Sequence, residues 1–376
     1  MKRFFNFTKV QPIPAGVYHK QSAPQDQPPY RVHLRLQRDG SGVMVVNAAT
    51  VLHLNPTAAE CAYHFIKGTE PETAAREIAA RYRVSKATAL ADFRDFADRV
   101  GTLVTTPDLD PESYLAFDRI SPHSASLTAP LRLDCALTYR LPEGTQVQYA
   151  PTKRVDRELD TDEWTRILEK AWQVGIPHVT FTGGEATLRE DLVDLVGRAE
   201  AIGQVCGLLT DGLKLANEQY LQRILQAGLD HILFMLQPGR ESSWTALETI
   251  LRQDIFLTVH LSVSQENAAD AASYLERLAS AGVKSLSLTF ADPAASPSNL
   301  LDKAAALGLA LKYDLPVPYS ADHPVARETR DDVIAAGAGK VWLYVEPDGD
   351  VLPAQGMPER VLGNFLLDPW EKIYAS

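Results

Sequence analysis

The chain has 376 residues, a mass of 41.3 kDa and a formal net charge of −11. This length predicts two or three domains, and 45% hydrophobic residues are enough to bury a core in each. The acidic balance argues against a general nucleic-acid or anionic-membrane surface, because both need a basic excess. No segment approaches the roughly 20 apolar residues of a membrane span, and the N-terminus lacks a signal-like apolar run. We therefore expect a cytoplasmic protein that binds neither nucleic acid nor membrane.

The N-terminal part predicts a small domain after an extended lead-in. Residues 1–29 are rich in Pro, Gln and Ser and predict that lead-in. Residues 30–36 alternate apolar and polar positions, which predicts a strand, and residues 43–46 and 50–54 follow as two more. Three short helices come next, the first capped by Asn55. A hairpin followed by three helices predicts a winged-helix-like α+β domain over residues 30–103.

Strands and helices alternate after a Pro-, Ser- and Asp-rich linker at residues 104–130. Apolar strands are predicted to start near residues 131, 178, 205, 231, 256 and 284, with an amphipathic helix after most of them. Repeated βα units require a parallel sheet with right-handed crossovers. Six strands are two short of a closed TIM barrel, so the fold class predicted for residues 131–318 is a partial (β/α)6 barrel. In such folds the chemistry lies at the C-terminal ends of the strands.

The end of the first of these strands carries a specific motif. Leu-Thr-Tyr-Arg at residues 137–140, with Tyr149 further on, resembles the opening strand and loop of radical S-adenosylmethionine (SAM) enzymes. That family places Cys-x-x-x-Cys-x-x-Cys between these two features. The three cysteine positions are held here by Leu141, Thr145 and Gln148. The resemblance implies the family's scaffold without the thiolates that would bind a [4Fe–4S] cluster.

The following strand ends continue this resemblance. Thr182-Gly183-Gly184-Glu185 is similar to the family's Gly-Gly-Glu motif, which implies that the backbone and Glu185 hold the amino group of SAM. Thr210-Asp211-Gly212 is similar to Thr-Asn-Gly with Asp in place of Asn, and Met235-Leu236-Gln237 departs from Ser-Leu-Asp. The candidate pocket for SAM or a small molecule is therefore formed by Tyr139, Tyr149, Thr182, Gly183, Gly184, Glu185, Asp211 and Gln237.

Residues 319–376 resemble the SPASM extension of peptide-modifying radical SAM enzymes, which binds auxiliary iron–sulfur clusters. The Ala-Gly-Ala-Gly segment at 336–339 and the Pro-Asp-Gly hairpin at 347–349 carry this similarity. Ala336 and Ala354 stand where that family has cysteines, so the segment is predicted to be a SPASM remnant.

The N-terminal domain resembles the PqqD-like peptide-recognition family through its order of elements and two segments, at residues 54–59 and 80–85. That family binds the leader of a ribosomally made precursor peptide as an added strand, a mode suited to an exposed sheet edge. Arg31, His33 and Arg35 would then offer positive charge to the leader. The alternatives are a solvated hairpin face and a DNA-binding winged helix, although the third helix carries no cationic excess.

These features lead to one functional prediction with an alternative. The three cysteines, Cys61, Cys135 and Cys206, are scattered, so we expect no metal, no [4Fe–4S] cluster and at most weak SAM binding. We expect no catalytic residue and a pseudoenzyme that binds a precursor peptide and assists its modification, together with an active maturase or as a homo-oligomer. The alternative is an enzyme with non-radical chemistry in the barrel mouth.

Overall fold

The computed structural model describes residues 13–106, 109, 114, 127–143, 155, 157–290, 298–312 and 337–374, except positions 24, 27, 48, 49, 156 and 358. The chain forms two compact units. Unit 1 is Met1–Thr128 with Gln173–Pro177, and unit 2 is Ala129–Trp172 with His178–Ser376. None of the helices in this described part is both long and apolar enough to cross a membrane.

The sheet of unit 1 has four antiparallel strands in sequence order, β1 (Gly16–Gln21), β2 (Arg31–Leu36), β3 (Gly42–Val46) and β4 (Thr50–Leu54). The last three strands lie where the alternation of residues predicted them. β1 is a difference, because it falls within the predicted extended lead-in and pairs along its whole length with β2. The short β1 segment lies between Pro-containing segments and has no clear apolar periodicity. Its strand conformation is stabilised by the pairing with β2.

Three helices complete unit 1, α1 (Pro56–Lys67), α2 (Pro71–Arg81) and α3 (Lys86–Thr105). The Asn55 side chain accepts from the Ala58 amide at 2.9 Å, and Ser85 accepts from Thr88 at 3.1 Å, which caps α1 and α3. Apolar side chains of β2, β3 and α1 pack into one cluster with the C-terminal half of α3. The described elements thus have the strand and helix order that the sequence indicated.

Unit 2 is built on a ten-stranded sheet in the order β11-β10-β9-β8-β7-β6-β5-β12-β13-β14. The strands are β5 (Arg132–Thr138), β6 (His178–Gly183), β7 (Val205–Thr210), β8 (His231–Met235), β9 (Phe256–Val263), β10 (Ser285–Phe290), β11 (Ala310–Leu311), β12 (Trp342–Val345), β13 (Asp350–Leu352) and β14 (Gly363–Asn364). Strands β5 to β11 are parallel, and β12 runs parallel to β5. β13 pairs antiparallel with β12, and β14 pairs antiparallel with β13. The predicted parallel α/β sheet is confirmed, and its six predicted strands lie in the middle of a larger sheet.

Helices follow the parallel strands as the repeated pattern requires. They are α4 (Thr161–Gln173), α5 (Leu192–Ala201), α6 (Glu218–Gln226), α7 (Glu241–Leu251), α8 (Ala271–Ala281) and α9 (Ser298–Ala306), with a short α10 (Trp370–Ile373) near the end. The curvature of a partial barrel and the SPASM character of the last strands stay predictions.

The two faces of this sheet differ in chemistry. Side chains alternate between faces along each strand, and one face carries large, fully buried apolar residues such as Leu133, Phe181 and Phe234. The other face, here called the inner face, carries buried polar residues. The hydroxyl oxygens of Thr258 and Ser285 lie 3.0 Å apart. The next pair on the same two strands, His260 and Ser287, also lies within hydrogen-bond distance. The inner face of the sheet is thus partly polar although it is buried.

Buried histidines belong to this polar set. His178 and His231 begin β6 and β8, and their Nε2 atoms lie 3.2 Å apart. Burial lowers the pKa of His231 to about 4. His260 lies in β9 with its Nδ1 3.0 Å from the Ser287 hydroxyl, and burial also lowers the pKa of His260 to about 4. These rings are therefore neutral in the folded protein at neutral pH.

Unit 2 is expected to lose stability as the pH falls from 6.5 to 4. Because the folded-state pKa of His260 lies below the ordinary 6.5, the unfolded chain binds more protons in this range. Each such histidine contributes a loss of up to ~1.4 kcal/mol per pH unit. Urea unfolding at pH 7.5 and 5.0 measures this loss, and His260→Gln should reduce the pH dependence. An equal slope for this variant would show that His260 does not contribute.

Candidate functional site

The candidate site lies where β5, β6, β7 and β8 end. β6 pairs in parallel with β5 on one side and β7 on the other, and β8 follows β7. The C-terminal ends of these strands therefore meet at one edge of the sheet, which brings the segments after Thr138, Gly183, Thr210 and Met235 together. We call this edge the mouth.

The glycine pair of the mouth is packed against the end of β5. Gly183 has a φ of +122°, and a Cβ there would lie 2.1 Å from the Thr138 carbonyl oxygen. A Cβ on Gly184 would lie 2.2 Å from the Arg140 carbonyl oxygen. The Gly184 amide donates to Thr138 at 2.7 Å and the Glu185 amide to Arg140 at 2.8 Å. The glycines thus allow close contact between two backbone segments of this chain, whereas their predicted contact with SAM stays a prediction.

The Glu185 carboxylate is held by four donors of its own chain. Its Oε1 accepts from the Thr187 amide at 2.9 Å, the Thr187 hydroxyl at 2.6 Å and the Thr210 hydroxyl at 2.8 Å. Its Oε2 accepts from the Asp211 amide at 2.8 Å. The side chain is 3% exposed. Glu185 therefore ties the turn after β6 to the end of β7, and it presents a buried, fixed negative charge to the mouth.

Asp211 lies beside this charge and is half-buried. Its Oδ1 accepts from the Leu213 amide at 2.9 Å, which orders the turn at Gly212. Burial and the neighbouring Glu185 carboxylate raise the pKa of Asp211 to about 7. Asp211 is consequently partly protonated near neutral pH, since two adjacent carboxylates resist ionising together.

Two polar atoms at the mouth have no hydrogen-bond partner within the described residues. They are the Thr182 hydroxyl, in a residue with 0% exposure, and the side-chain oxygen Oε1 of the half-buried Gln237. Buried polar groups are normally paired. The hydroxyl of Thr182 and the amide oxygen of Gln237 are therefore the polar atoms of the mouth whose hydrogen bonds remain to be made.

Sequence reasoning missed one member of the site, Glu346. The Tyr139 hydroxyl, at the end of β5, donates to Glu346 Oε1 at 2.7 Å, and the hydroxyl of Tyr344 lies 3.3 Å from that of Tyr139. Glu346 is 2% exposed. Its position follows from the parallel pairing of β12 with β5. An acidic residue directly after an apolar strand was the available signal, but the sequence does not reveal which strand β12 joins.

Only two of the remaining predicted positions lie within the described residues. Leu141 and Ala354 are half-buried, whereas Thr145, Gln148, Tyr149 and Ala336 lie outside the described residues. No group of three or more His, Cys, Asp or Glu side chains within the described ranges is arranged to hold a metal ion.

The structure places two of the three predicted peptide-binding residues in the interior. His33 and Arg35 are 2% and 4% exposed. His33 Nδ1 lies 2.9 Å from Nδ1 of His19 in β1, and Arg35 Nε donates to the Gly175 carbonyl oxygen at 3.0 Å within unit 1. Arg31 is half-buried at the start of β2. Because β1 and β3 flank β2 on both sides, a peptide strand finds no unpaired edge at β2.

Comparison with known proteins shows which superfamily the sheet of unit 2 is similar to. Residues 135–291 match the sequence model of the radical SAM superfamily. These residues contain the whole mouth between β5 and β8, so the resemblance found in the motifs extends through the full set of βα units.

Individual relatives are more specific. The chain is similar to the PqqA peptide cyclase of Gluconobacter oxydans, with 33% identity over 156 residues, covering 37% of this chain and 43% of that protein. The match thus spans less than half of that relative's length. The fold is similar to Streptococcus suis SuiB bound to the precursor peptide SuiA, with a TM-score of 0.57, 12% identity, and coverage of 91% of this chain and 86% of SuiB. SuiB bound to S-adenosylmethionine gives a TM-score of 0.56 at 13% identity, covering 92% and 87%.

The expectation that the protein needs no cofactor is wrong. The superfamily match and the fold shared with SAM-bound SuiB overturn it, because radical SAM relatives bind SAM and a [4Fe–4S] cluster. The expectation relied on missing thiolates alone, and it gave too little weight to the retained strand ends.

The residues present fit the two cofactors unequally. The acidic pair Glu185 and Asp211 and the unpaired Thr182 hydroxyl fit the charged amine and polar groups of SAM. The cysteines do not fit a cluster at the mouth: Cys135 and Cys206 are fully buried inside β5 and β7, and Cys61 belongs to α1 of unit 1. Burial raises the pKa of the Cys135 thiol well above its usual range and that of Cys61 to about 12. Protonated thiols are poor iron ligands.

Proposed function

We propose that this chain binds a ribosomally made precursor peptide and SAM, and that it assists modification of the peptide without cleaving SAM reductively by itself. The observation that carries this proposal is the fold shared with SuiB over 91% of the chain, since that structure contains a bound precursor peptide. The retained mouth supports SAM binding, and the buried thiols argue against a radical step by the isolated chain.

The partner in this proposal is an active maturase or a second copy of the chain. The three thiols that the chain offers are protonated or enclosed, so the reactive step requires another protein. The alternative of non-radical acid–base chemistry draws on one observation, the raised pKa of Asp211 at the mouth. Turnover of SAM or peptide by the isolated chain, lost in Asp211→Asn, would favour that alternative.

The docking position proposed for the peptide is the free edge of β4. In the described sheet of unit 1, β4 is a terminal strand, and β1 is the strand at the opposite end. An edge strand offers unpaired amides and carbonyls to an extended peptide. His53, the fourth of the five residues of β4, has an exposed side chain, which leaves this strand accessible from one face.

Hydrogen exchange of the full chain tests this position. With a bound precursor peptide, the amides of β4 (Thr50–Leu54) are expected to exchange at least about tenfold more slowly, because they gain backbone hydrogen bonds. The amides of β1 serve as an internal control and should not change. Protection of β1 with no effect on β4, or no binding of the peptide, would contradict the proposal.

A further inference from the structure

We propose that Glu158, which lies shortly before α4, is a positioning residue for the mouth. Its carboxylate fixes the end of β5, and the end of β5 in turn holds the backbone of the turn after β6. The effect of Glu158 on a ligand is therefore indirect and passes through the position of that turn. The contacts that carry this inference all lie within unit 2, whereas its consequence for binding rests on the proposed SAM site.

The first step joins Glu158 to two residues at the end of β5. The Thr138 hydroxyl donates to Glu158 Oε1, and Arg140 Nη2 lies 3.5 Å from Glu158 Oε2. The Thr138 hydroxyl oxygen also accepts from the Arg140 amide at 3.0 Å and from Arg140 Nε at 3.1 Å. A hydroxyl has one proton to donate and two positions to accept, so each of these is used. Thr138 is 0% exposed, and loss of the Glu158 acceptor would leave its hydroxyl proton buried without a partner.

The second step joins the same two residues to the mouth. The Thr138 carbonyl oxygen accepts from the Gly184 amide at 2.7 Å, and the Arg140 carbonyl oxygen accepts from the Glu185 amide at 2.8 Å. The side chains of Thr138 and Arg140 thus bond to Glu158, while their carbonyl groups bond to the turn after β6. A displacement of the end of β5 would move both backbone hydrogen bonds, and with them the residues Gly184 and Glu185.

A separate set of contacts comes from Arg189, whose side chain binds the backbone on both sides of this connection. Its Nη1 donates to the carbonyl oxygens of Leu137 at 3.2 Å and Leu159 at 3.0 Å. Its Nε and Nη2 donate to the two carboxylate oxygens of Asp191 at 2.8 and 2.7 Å. Arg189 is 7% exposed. The residue before Thr138 and the residue after Glu158 are therefore held by one buried guanidinium group.

We call residues 137–140 and 158–159 the neck, because they lie at the two ends of the stretch 141–157. That stretch contains the three positions at which the related motif has cysteines. Glu158 joins the two sides of the neck through side chains, and Arg189 joins them through backbone carbonyl groups. These contacts place the end of β5 against the mouth without a thiolate ligand in the stretch between them.

The two bonds of Glu158 differ in weight. The Arg140 side chain is 55% exposed, so its ion pair with Glu158 is screened by water and stabilises the neck little. The hydrogen bond from the buried Thr138 hydroxyl is the stronger constraint. Glu158→Gln keeps an acceptor oxygen for this bond and should behave like the unsubstituted protein, whereas Glu158→Met has similar length and no acceptor. Thr138→Val removes the donor of the same bond and should reproduce the effect of Glu158→Met.

Hydrogen exchange of the full chain, followed by mass spectrometry, tests the positioning. In Glu158→Met the amides of Gly184 and Glu185 should exchange at least about tenfold faster, because their acceptors at the end of β5 lose an anchor. In Glu158→Gln the change should stay below about threefold. Glu241→Gln, which removes a surface ion pair on α7, is the matched control and should leave these amides unchanged. Unchanged exchange of both amides in Glu158→Met and in Thr138→Val would overturn the inference.

Isothermal titration calorimetry with SAM measures the consequence for binding. Glu158→Met should bind SAM about tenfold more weakly than the unsubstituted protein and Glu158→Gln about equally well. Circular dichroism checks that both variants are folded, and Thr138→Val replaces Glu158→Met if the latter is not. Faster exchange with unaltered SAM affinity would overturn the positioning role. If the unsubstituted protein shows no saturable binding, the proposed SAM site is wrong, and the exchange rates still decide whether Glu158 fixes the turn.

Discussion

Gly183→Ala is expected to destabilise unit 2 by about 3 kcal/mol, because a Cβ overlaps the backbone and the residue has positive φ. The φ is +122°, and the new Cβ would lie 2.1 Å from the Thr138 carbonyl oxygen. The Thr138 carbonyl oxygen cannot move away easily, since it accepts a 2.7 Å hydrogen bond from the Gly184 amide. Relief of the clash would require separating the ends of β5 and β6.

The measurement is denaturant unfolding followed by tryptophan fluorescence. All five tryptophans of the chain belong to unit 2, so the signal reports this unit. Gly197→Ala is the matched control, because Gly197 lies within α5 and a Cβ there meets only the Ala227 carbonyl oxygen at 4.0 Å. This control should be neutral or slightly stabilising, as alanine favours helix. Equal stabilities for the two variants would show that the glycine is not required for the backbone contact.

Much of the fold was predictable because local patterns determine it. The strands from β5 to β10 begin within one residue of the predicted positions, since each is a short apolar run followed by an amphipathic helix. β1 was missed, because its order depends on pairing with β2 rather than on its own pattern. The pairing of β12 with β5 joins residues about 200 positions apart, and no local signal specifies it.

The candidate site was predictable as motifs and not as contacts. The motifs identified Glu185 and Asp211, but the sequence does not show that Glu185 is saturated by donors of its own chain. The alternation of Arg31, His33 and Arg35 indicated an accessible charged face. His33 and Arg35 are instead buried, and their polar atoms find partners inside unit 1, His33 with His19 of the neighbouring strand β1 and Arg35 with the Gly175 carbonyl oxygen.

The second large expected effect concerns the radical step. Reductive cleavage of SAM needs an iron centre held by several thiolates at the mouth, whereas the cysteines of this chain are buried at three separate positions. Cys135 is also held as a neutral thiol, because burial raises its pKa. We therefore expect SAM to bind without being cleaved.

The most direct measurement is anaerobic incubation of the full chain with iron, sulfide, dithionite and SAM, followed by quantification of 5′-deoxyadenosine. An active radical SAM enzyme treated in parallel provides the positive control. The account predicts saturable SAM binding, with 5′-deoxyadenosine no higher than in a mixture without protein. Formation of 5′-deoxyadenosine in proportion to the amount of this chain would contradict it.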